Sequence, residues 1–225
     1  INYTGNANSN YNYSWTFGTG NVVNSGSGSG PYNIGYTTTG NKSLRLTVSG
    51  FGCVPSTTDS TIVVNALPTP NAGADNAICS GNNIQIGQSA LTGHSYSWSS
   101  NPSGYASGSS NPVVSPSNTT DYILLDSITA TGCINRDTVT ITVNALPTPD
   151  AGADQSICTG SNIQIGQSSL SGHSYKWTSS PSGYTSTSSN PTVNPTQTTT
   201  YILFDSINAT GCINRDTVMI SVDPT

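Results

Sequence analysis

The chain has 225 residues and a formal net charge of −5, and only 7% of its residues are charged. An ordinary soluble domain carries roughly 25%. It contains no glutamate and few lysines or arginines, so strong helix formers are scarce and no basic patch indicates nucleic-acid binding. No apolar run approaches the roughly 20 residues of a direct membrane span. The abundant serine, threonine, asparagine, glycine, valine and tyrosine favour strands and turns, and they predict an all-β protein.

The first segment of the chain matches the second from its second strand onward. Residues 1–15 align with residues 84–98 at a constant offset of 83, so that their Tyr-Ser-Trp motifs coincide. We therefore expect a domain over residues 1–65 that lacks its first strand. Either the native chain continues before Ile1, or a strand from another chain fills the gap, since an open sheet edge is a pairing site.

The second segment, residues 66–145, contains short runs that alternate between apolar and polar residues, as half-buried strands do. These runs are residues 83–86, 95–99 and 137–143, and we expect two further strands, a short one bounded by prolines at residues 111–114 and a central one at residues 120–125. We expect Trp98 at the centre of the core, and Tyr122 at a tyrosine-corner position at the start of the penultimate strand. Short strands separated by Gly, Pro, Asn and Ser predict an antiparallel β-sandwich.

The third segment, residues 146–225, repeats the second without a gap. The motif Cys-Ile-Asn-Arg-Asp-Thr-Val begins at Cys133 and again at Cys212, 79 residues later. The hexamer Asn-Ala-Leu-Pro-Thr-Pro follows the last strand at residues 65–70 and 144–149. Its prolines favour a stiff, extended joint. The pattern predicts tandem β-sandwiches in a rod-like array.

Each complete repeat has one cysteine at its first strand and another just before its last strand. We predict a disulfide within each repeat, Cys79 with Cys133 and Cys158 with Cys212, whereas Cys53 has no partner here. Each bridge would be worth about 4 kcal/mol by the loop-entropy estimate, and disulfides imply an oxidising, extracellular environment. A zinc site is the competing interpretation, but Cys-x-x-Cys spacing is absent and both histidines are far from any cysteine in the sequence.

Several motifs in the first segment resemble those of a PKD domain. They are Trp15-Thr-Phe-Gly-Thr-Gly20, Gly30-Pro-Tyr32, Tyr36-Thr-Thr-Thr-Gly40 and Leu44-Arg-Leu-Thr-Val48, with threonine at the two positions where the family's core motif has aspartate. The later segments are similar to the PKD-like, Ig-like modules repeated in surface proteins of Bacteroidota, in residues 72–75, 78–81, 119–122 and 132–133. The resemblance implies an Ig-like fold, type 9 secretion, and a role in gliding, adhesion or the spacing of exported enzymes.

Asp-Ser/Thr-apolar tripeptides recur along the chain and are similar to the O-glycosylation motif of exported Bacteroidota proteins. Their hydroxyl residues, our candidate glycosylation sites, are Ser60, Ser127, Thr138, Ser206 and Thr217. Strand alternation predicts that Thr138 and Thr217 face solvent, where glycans would hydrate a surface with few charges. The alternative is that the aspartate caps a turn and the hydroxyl residue simply belongs to a strand.

Catalytic and metal-binding groups find little support in the sequence. The chain has no glutamate for a carboxylate pair, and the repeats carry only His94 and His173, each in an expected turn. Calcium occurs in PKD-type modules, and aspartates lie near domain starts and strand ends, but no clustered Asp loop is present and we assign no ligands. These aspartates are Asp75, Asp121, Asp126 and Asp154. We therefore predict neither an enzyme nor a cofactor.

The favoured interpretation is a non-catalytic stalk or adhesive filament segment at the bacterial cell surface. Its partners would be neighbouring repeats, surface glycans or other copies of itself. One alternative is a carbohydrate- or peptide-binding module of a secreted enzyme, in which Tyr32, Tyr105 and Tyr184 would be exposed to stack on sugars. Another is a subunit that assembles by exchanging strands between chains.

Overall fold

A computed structural model describes residues 8–26, 28–50 and 52–223. Strands β1 to β19 account for all of the regular secondary structure in these residues, which confirms the all-β prediction. In this part of the chain, no helix is long and apolar enough to cross a membrane.

The chain divides into two compact units. The first consists of residues 1–70, 91–95 and 125–136, and the second consists of residues 71–90, 96–124 and 137–225. These units do not follow the segments 1–65, 66–145 and 146–225, which remain an interpretation of the sequence repeat.

The first segment forms two small antiparallel sheets. Its strands are β1 (Asn12–Thr16), β2 (Asn21–Ser25), β3 (Asn33–Tyr36), β4 (Gly40–Ser49) and β5 (Ser56–Val64). One sheet has the order β1-β4-β5 and the other is the ribbon β2-β3. Phe17, Leu44 and Leu46 are buried in this segment. Residues 1–3, which align with residues 84–86 of a predicted strand, lie outside the described residues.

The two complete repeats have the same strands in the same order. In the second segment these are β6 (Asn76–Cys79), β7 (Ile84–Gln85), β8 (His94–Asn101), β9 (Ala106–Ser107), β10 (Val113–Val114), β11 (Thr120–Ile128) and β12 (Ile134–Asn144). In the third they are β13 (Gln155–Cys158), β14 (Ile163–Gln164), β15 (His173–Ser180), β16 (Thr185–Ser186), β17 (Thr192–Val193), β18 (Thr199–Ile207) and β19 (Ile213–Asp223).

Each complete repeat has a five-stranded sheet and a two-stranded sheet. The larger sheets have the orders β6-β12-β11-β8-β9 and β13-β19-β18-β15-β16, and the smaller ones are β7-β10 and β14-β17. The first strand runs parallel to the last, as β6 does to β12 and β13 does to β19. This parallel pair is an exception within the antiparallel β-sandwich.

A tryptophan occupies the centre of each core between the two sheets. Trp98 is 2% exposed and Trp177 is 0% exposed, as the sequence predicted for Trp98. The indole nitrogens donate to the carbonyl oxygens of Ser109 and Ser188, at 2.8 and 2.9 Å. A buried indole N–H needs such a partner. Two packed sheets around a buried tryptophan are the arrangement of an Ig-like sandwich, so the prediction of tandem Ig-like β-sandwiches is confirmed.

The penultimate strands β11 and β18 each carry a buried tyrosine near their start. Tyr122 and Tyr201 are each 3% exposed, and the rings of Tyr105 and Tyr184 pack edge-on against them at 5.2 Å between centroids. Burial raises the pKa of the Tyr122 and Tyr201 hydroxyls. The alternation predicted for the last strand is also confirmed, because Val139 is buried and its neighbour Thr138 is exposed.

A glycine lies against each core tryptophan in a backbone conformation that other residues avoid. Gly166 has φ of +81°, and a Cβ built on it would lie 2.8 Å from Cζ2 of Trp177 and would clash with the Ser189 carbonyl oxygen. Gly87 repeats this contact with Trp98. Only a residue without a side chain allows the smaller sheet to approach the tryptophan so closely.

Replacing this glycine should destabilise the third repeat strongly. Gly166→Ala should lower the free energy of unfolding by about 2–4 kcal/mol, because left-handed strain adds to overpacking against Trp177. Gly172→Ala is the matched control, since Gly172 has φ of +79° but a Cβ added to it would meet nothing within 4 Å. The control should show the strain alone, about 1–2 kcal/mol. Equal losses for both variants in denaturant unfolding would contradict this explanation.

Candidate functional site at the junction between repeats

A disulfide joins the second segment to the third. Cys79, at the end of β6, is bonded to Cys212, just before β19, with 5.6 Å between their Cα atoms. Cys53, Cys133 and Cys158 are free thiols. The predicted bridges within repeats, Cys79 with Cys133 and Cys158 with Cys212, are therefore wrong.

The parallel pairing of the first and last strands explains why these bridges do not form. In the third repeat, Cys158 lies opposite Asp223, the last residue of β19, whereas Cys212 directly precedes Ile213, the first residue of that strand. A strand of this length spans about 33 Å at roughly 3.3 Å per residue. Because a disulfide needs Cα atoms within about 7 Å, the two cysteines of one repeat cannot reach each other.

The same register holds in the second repeat. Cys79 lies opposite Asn144, the last residue of β12, and Cys133 directly precedes the first residue of that strand. Cys79 therefore lies at the end of its sheet from which the linker leaves. From there it bonds to the turn before the last strand of the following repeat.

Hydrogen bonds fix the linker to the repeat that follows it. The side-chain amide of Asn214 donates to the carbonyl oxygen of Pro147 in the linker at 3.0 Å. Asp216 accepts a hydrogen bond from the backbone N–H of Ala151 at 2.8 Å. Pro147 and Ala151 are buried, so the linker packs against the third repeat at Pro147, whereas Ala145, Leu146 and Thr148 of the linker are exposed.

These contacts occur twice with the same geometry. Asn135 donates to the carbonyl oxygen of Pro68 at 3.0 Å, and Asp137 accepts from the N–H of Ala72 at 2.8 Å. The Asn and Asp of the repeated Cys-Ile-Asn-Arg-Asp-Thr-Val motif therefore hold the linker and the first residues of each complete repeat against that repeat's last strand. Sequence reasoning missed this role, although the identical repetition of two polar residues in one motif was a usable signal.

The aspartates considered for calcium have protein partners in the structure. Asp75 and Asp154 accept hydrogen bonds from the backbone N–H groups of Thr140 and Met219, each at 2.8 Å. Asp121 accepts from the Thr140 hydroxyl at 2.7 Å. Within the described residues, no three His, Cys, Asp or Glu side chains are grouped so that they could hold a metal ion.

Each histidine is paired with a buried aspartate. Nδ1 of His173 lies 2.8 Å from a carboxylate oxygen of Asp205, and the Asp205 side chain is 0% exposed. His94 and Asp126 repeat the pair at the same distance. The histidines are the partly buried first residues of β15 and β8, so the prediction that they lie in turns is wrong. A buried carboxylate needs such a partner, and the pair stabilises this end of the sheet.

The candidate glycosylation residues differ in exposure. Ser60, Thr138 and Thr217 are exposed, while Ser127 and Ser206 are half-buried. The exposure predicted for Thr138 and Thr217 is confirmed, and glycosylation itself stays a prediction.

The aspartates of these tripeptides all have structural contacts. Asp126 and Asp205 pair with histidine, Asp137 and Asp216 hold linker residues, and Asp59 binds Arg45 through two hydrogen bonds of 2.7 and 2.8 Å. The hydrogen bonds with Arg45 lower the pKa of the Asp59 carboxyl.

The tyrosines considered for sugar stacking are partly buried and pack against other aromatic rings. Tyr105 and Tyr184 contact the core tyrosines edge-on. Tyr32 packs against Phe17 at 5.1 Å and against Trp15 at 5.9 Å between ring centroids. Much of their apolar surface is therefore used inside the fold.

Comparisons with known proteins identify no family. No protein-family model matches the sequence. No curated protein matches it either. Similar solved structures include the insect immune protein hemolin, with 12% identity, a TM-score of 0.40 and coverage of 81% of this chain and 56% of that one. A fragment of three titin Ig domains has 9% identity, a TM-score of 0.39 and coverage of 96% and 89%. A Ca²⁺-stabilized adhesin of an Antarctic bacterium has 14% identity, a TM-score of 0.37 and coverage of 83% and 57%. Likenesses this distant carry no argument, and the fold assignment rests on the strands and cores described above.

The Asp216 contact can be tested by removing its acceptor oxygen. Asp216→Ala should lower the free energy of unfolding by about 1–3 kcal/mol, because it leaves the N–H of the fully buried Ala151 without a partner. Asp216→Asn keeps an acceptor oxygen and is the matched control, with a smaller loss. Thermal unfolding of both variants with the disulfide intact measures the difference. An unchanged melting temperature for Asp216→Ala would show that the contact contributes nothing.

Proposed function

We propose that the chain is a non-catalytic, extracellular stalk or adhesive segment of a bacterial surface protein of the PKD-like, Ig-like kind. The observation that carries this proposal is the repeated junction. The same Asn and Asp side chains hold the linker and the first residues of both complete repeats, and a disulfide joins the second segment to the third.

A joint built in this way resists bending better than a free linker. The Pro68 and Pro147 rings are buried, and their carbonyl oxygens accept hydrogen bonds from the next repeat. Proline restricts the backbone, and the hydrogen bonds fix each hexamer to the next repeat at its first proline. Such a joint suits a spacer that must keep its terminal parts apart.

The disulfide supports an extracellular location. Disulfides persist in oxidising compartments and are rare in the cytosol. A low charge content and many exposed hydroxyl and amide side chains suit a surface hydrated by neutral polar groups, with or without glycans. We also propose secretion by the type 9 pathway, which the family resemblance implies.

The histidine–aspartate pairs support a structural role over a catalytic one. The pair occurs identically in both complete repeats, with a carboxylate that is fully buried. It lies at the end of the sheet where the turn before the last strand begins, since Asp205 is opposite Asn214 in the register. A catalytic site would need a reacting group converging on this pair from a cleft.

We also propose that the exposed hydroxyl residues are O-glycosylated. Thr138 and Thr217 lie on the solvent side of the last strands, and Ser60 lies on β5. A glycan there would hydrate a sheet face that carries few charges. Ser127 and Ser206 are half-buried and would be poorer acceptors.

A binding module is the first alternative, and a surface depression favours it. This depression, of about 630 Å³, lies on the first segment and is lined by hydroxyl groups beside the Arg45–Asp59 ion pair, including those of Thr16, Ser43 and Thr61. Hydroxyl and charged groups of this kind can hydrogen-bond a sugar. A glycan array that shows no binding to the chain would remove this alternative.

Strand exchange is the second alternative, and the edge of the first sheet favours it. Strand β5 is the last strand in the order β1-β4-β5, whereas its counterparts β12 and β19 each pair with a parallel strand. A strand supplied by another copy could add to β5 in the same way.

The stalk proposal predicts an extended particle in solution. A single compact domain of 225 residues would have a radius of gyration of about 17 Å. Small-angle X-ray scattering of the oxidised chain should give a clearly larger value, because a stalk keeps its repeats in an extended row. Reducing the disulfide should broaden the distribution of interatomic distances. A radius near 17 Å for the oxidised chain would contradict a stalk.

The glycan proposal predicts a specific mass pattern. Native protein should carry hexose-containing adducts on peptides with Thr138 and Thr217. A Thr217→Val variant expressed in the native host should lose only the adduct at that position. Thr142→Val is the matched control, because Thr142 is also exposed on a last strand but follows no aspartate. Unmodified peptides at both threonines would contradict glycosylation there.

A further inference from the structure

The cysteines fall into two structural classes. A forward cysteine lies at the end of a first strand, opposite the last residue of the last strand of its repeat, as Cys79 and Cys158 do. A backward cysteine lies just before a last strand, as Cys53, Cys133 and Cys212 do. The disulfide in the structure joins a forward cysteine to a backward cysteine of the next repeat.

The free forward cysteine has the same local structure as the bonded one. Cys79 lies opposite Asn144, and its neighbour Ser80 donates to the Asn144 carbonyl at 2.8 Å. Cys158 lies opposite Asp223, and its neighbour Thr159 donates to the Asp223 carbonyl at 3.3 Å. A tight turn follows each cysteine, closed by hydrogen bonds of 3.0 and 3.1 Å to its carbonyl. Cys158 is exposed, so its thiol is open to a partner.

The backward cysteines of the complete repeats also share one local structure. The N–H of Cys133 lies 3.4 Å from the Thr131 hydroxyl, and the N–H of Cys212 lies 3.4 Å from the Thr210 hydroxyl. The carbonyl of each cysteine accepts a hydrogen bond across the same turn, at 2.9 and 3.0 Å. Cys212 is fully buried where it is bonded, whereas Cys133 is only half-buried.

We propose that the free cysteines are halves of further junctions of the Cys79–Cys212 type. Cys158 bonds to a backward cysteine, and Cys133 and Cys53 each bond to a forward cysteine, of another repeat of this kind. The partner is thus a β-sandwich that presents the complementary thiol, either in a second copy of the chain or in another repeat of the same polypeptide. The proposal excludes bonds between two forward or two backward cysteines, because the observed bond joins a forward cysteine to a backward one.

The chemistry requires an oxidant, and a small disulfide such as oxidised glutathione supplies it. One cysteine loses its proton and attacks the oxidant, forming a mixed disulfide and releasing one reduced glutathione. The second cysteine thiolate then attacks the mixed disulfide, forming the protein disulfide and releasing a second reduced glutathione. The two protein sulfurs lose two electrons in total, and these reduce the oxidant.

This inference rests on the extracellular location under the proposed function for its oxidising conditions, but not on any adhesive role. Peptide mapping of native protein, alkylated before digestion and left unreduced, tests it. Cys158 should be recovered linked to a peptide with a cysteine directly before a last strand. Recovery of alkylated Cys158, or of a link between two Cys158 peptides, would overturn the proposal even if the stalk is correct.

Incubating the purified chain in a glutathione redox buffer shows whether the partner is a second copy of the chain or another repeat of the same polypeptide. If a second copy is the partner, disulfide-linked oligomers form and contain Cys158 joined to Cys53 or Cys133. Cys158→Ser should then abolish the oligomers while mapping still finds the Cys79–Cys212 bond. The chain could instead give monomers in which Cys158 is glutathionylated, while native protein contains a forward-to-backward link. The partner is then another repeat of the same polypeptide. Oligomers that persist in Cys158→Ser through links between backward cysteines would overturn the pairing rule.

Discussion

The parallel pairing of the first strand with the last determines how the cysteines of this protein can bond. Because β13 and β19 run in the same direction, Cys158 lies beside the end of β19 while Cys212 lies at its beginning. Two cysteines that look suited to close one domain are thereby placed at opposite ends of it. An antiparallel pairing would bring the same residues together and give isolated, internally cross-linked domains.

Because of this placement, the disulfide joins two neighbouring repeats instead of stabilising a single one. In repeat arrays, stability is approximately a sum of intrinsic repeat terms and nearest-neighbour interface terms. A disulfide that closes 133 residues restricts the unfolded chain by about 5 kcal/mol by the loop-entropy estimate, provided that both repeats unfold together. The Asn214 and Asp216 contacts fix the linker and the start of the third repeat to its last strand, and the disulfide couples this repeat to the second.

Much of the fold could be predicted from the sequence, because strand alternation and the buried tryptophans depend on local pattern. The burial of Val139 and the exposure of Thr138 follow directly from the period of two. Strand β9 was not predicted, since its two residues show no periodicity, whereas β7 and β10, equally short, lie within the strands predicted at residues 83–86 and 111–114. The direction of β6 relative to β12 was also invisible, because pairing direction depends on tertiary contacts that one short strand does not encode.

The candidate site was predictable only in part for the same reason. Asn214 and Asp216 both lie in the repeated motif. Their partners, Pro147 and Ala151, lie 67 and 65 residues earlier, so the motif alone did not indicate these contacts. Asp216 belongs both to a candidate glycosylation motif and to the contact with Ala151. Only the structure shows that its carboxylate already accepts a hydrogen bond. Because the hydroxyl next to it, on Thr217, points to the opposite side of the strand, the two roles are compatible. The last strand can therefore fasten the junction with one face and present its hydroxyls to solvent with the other.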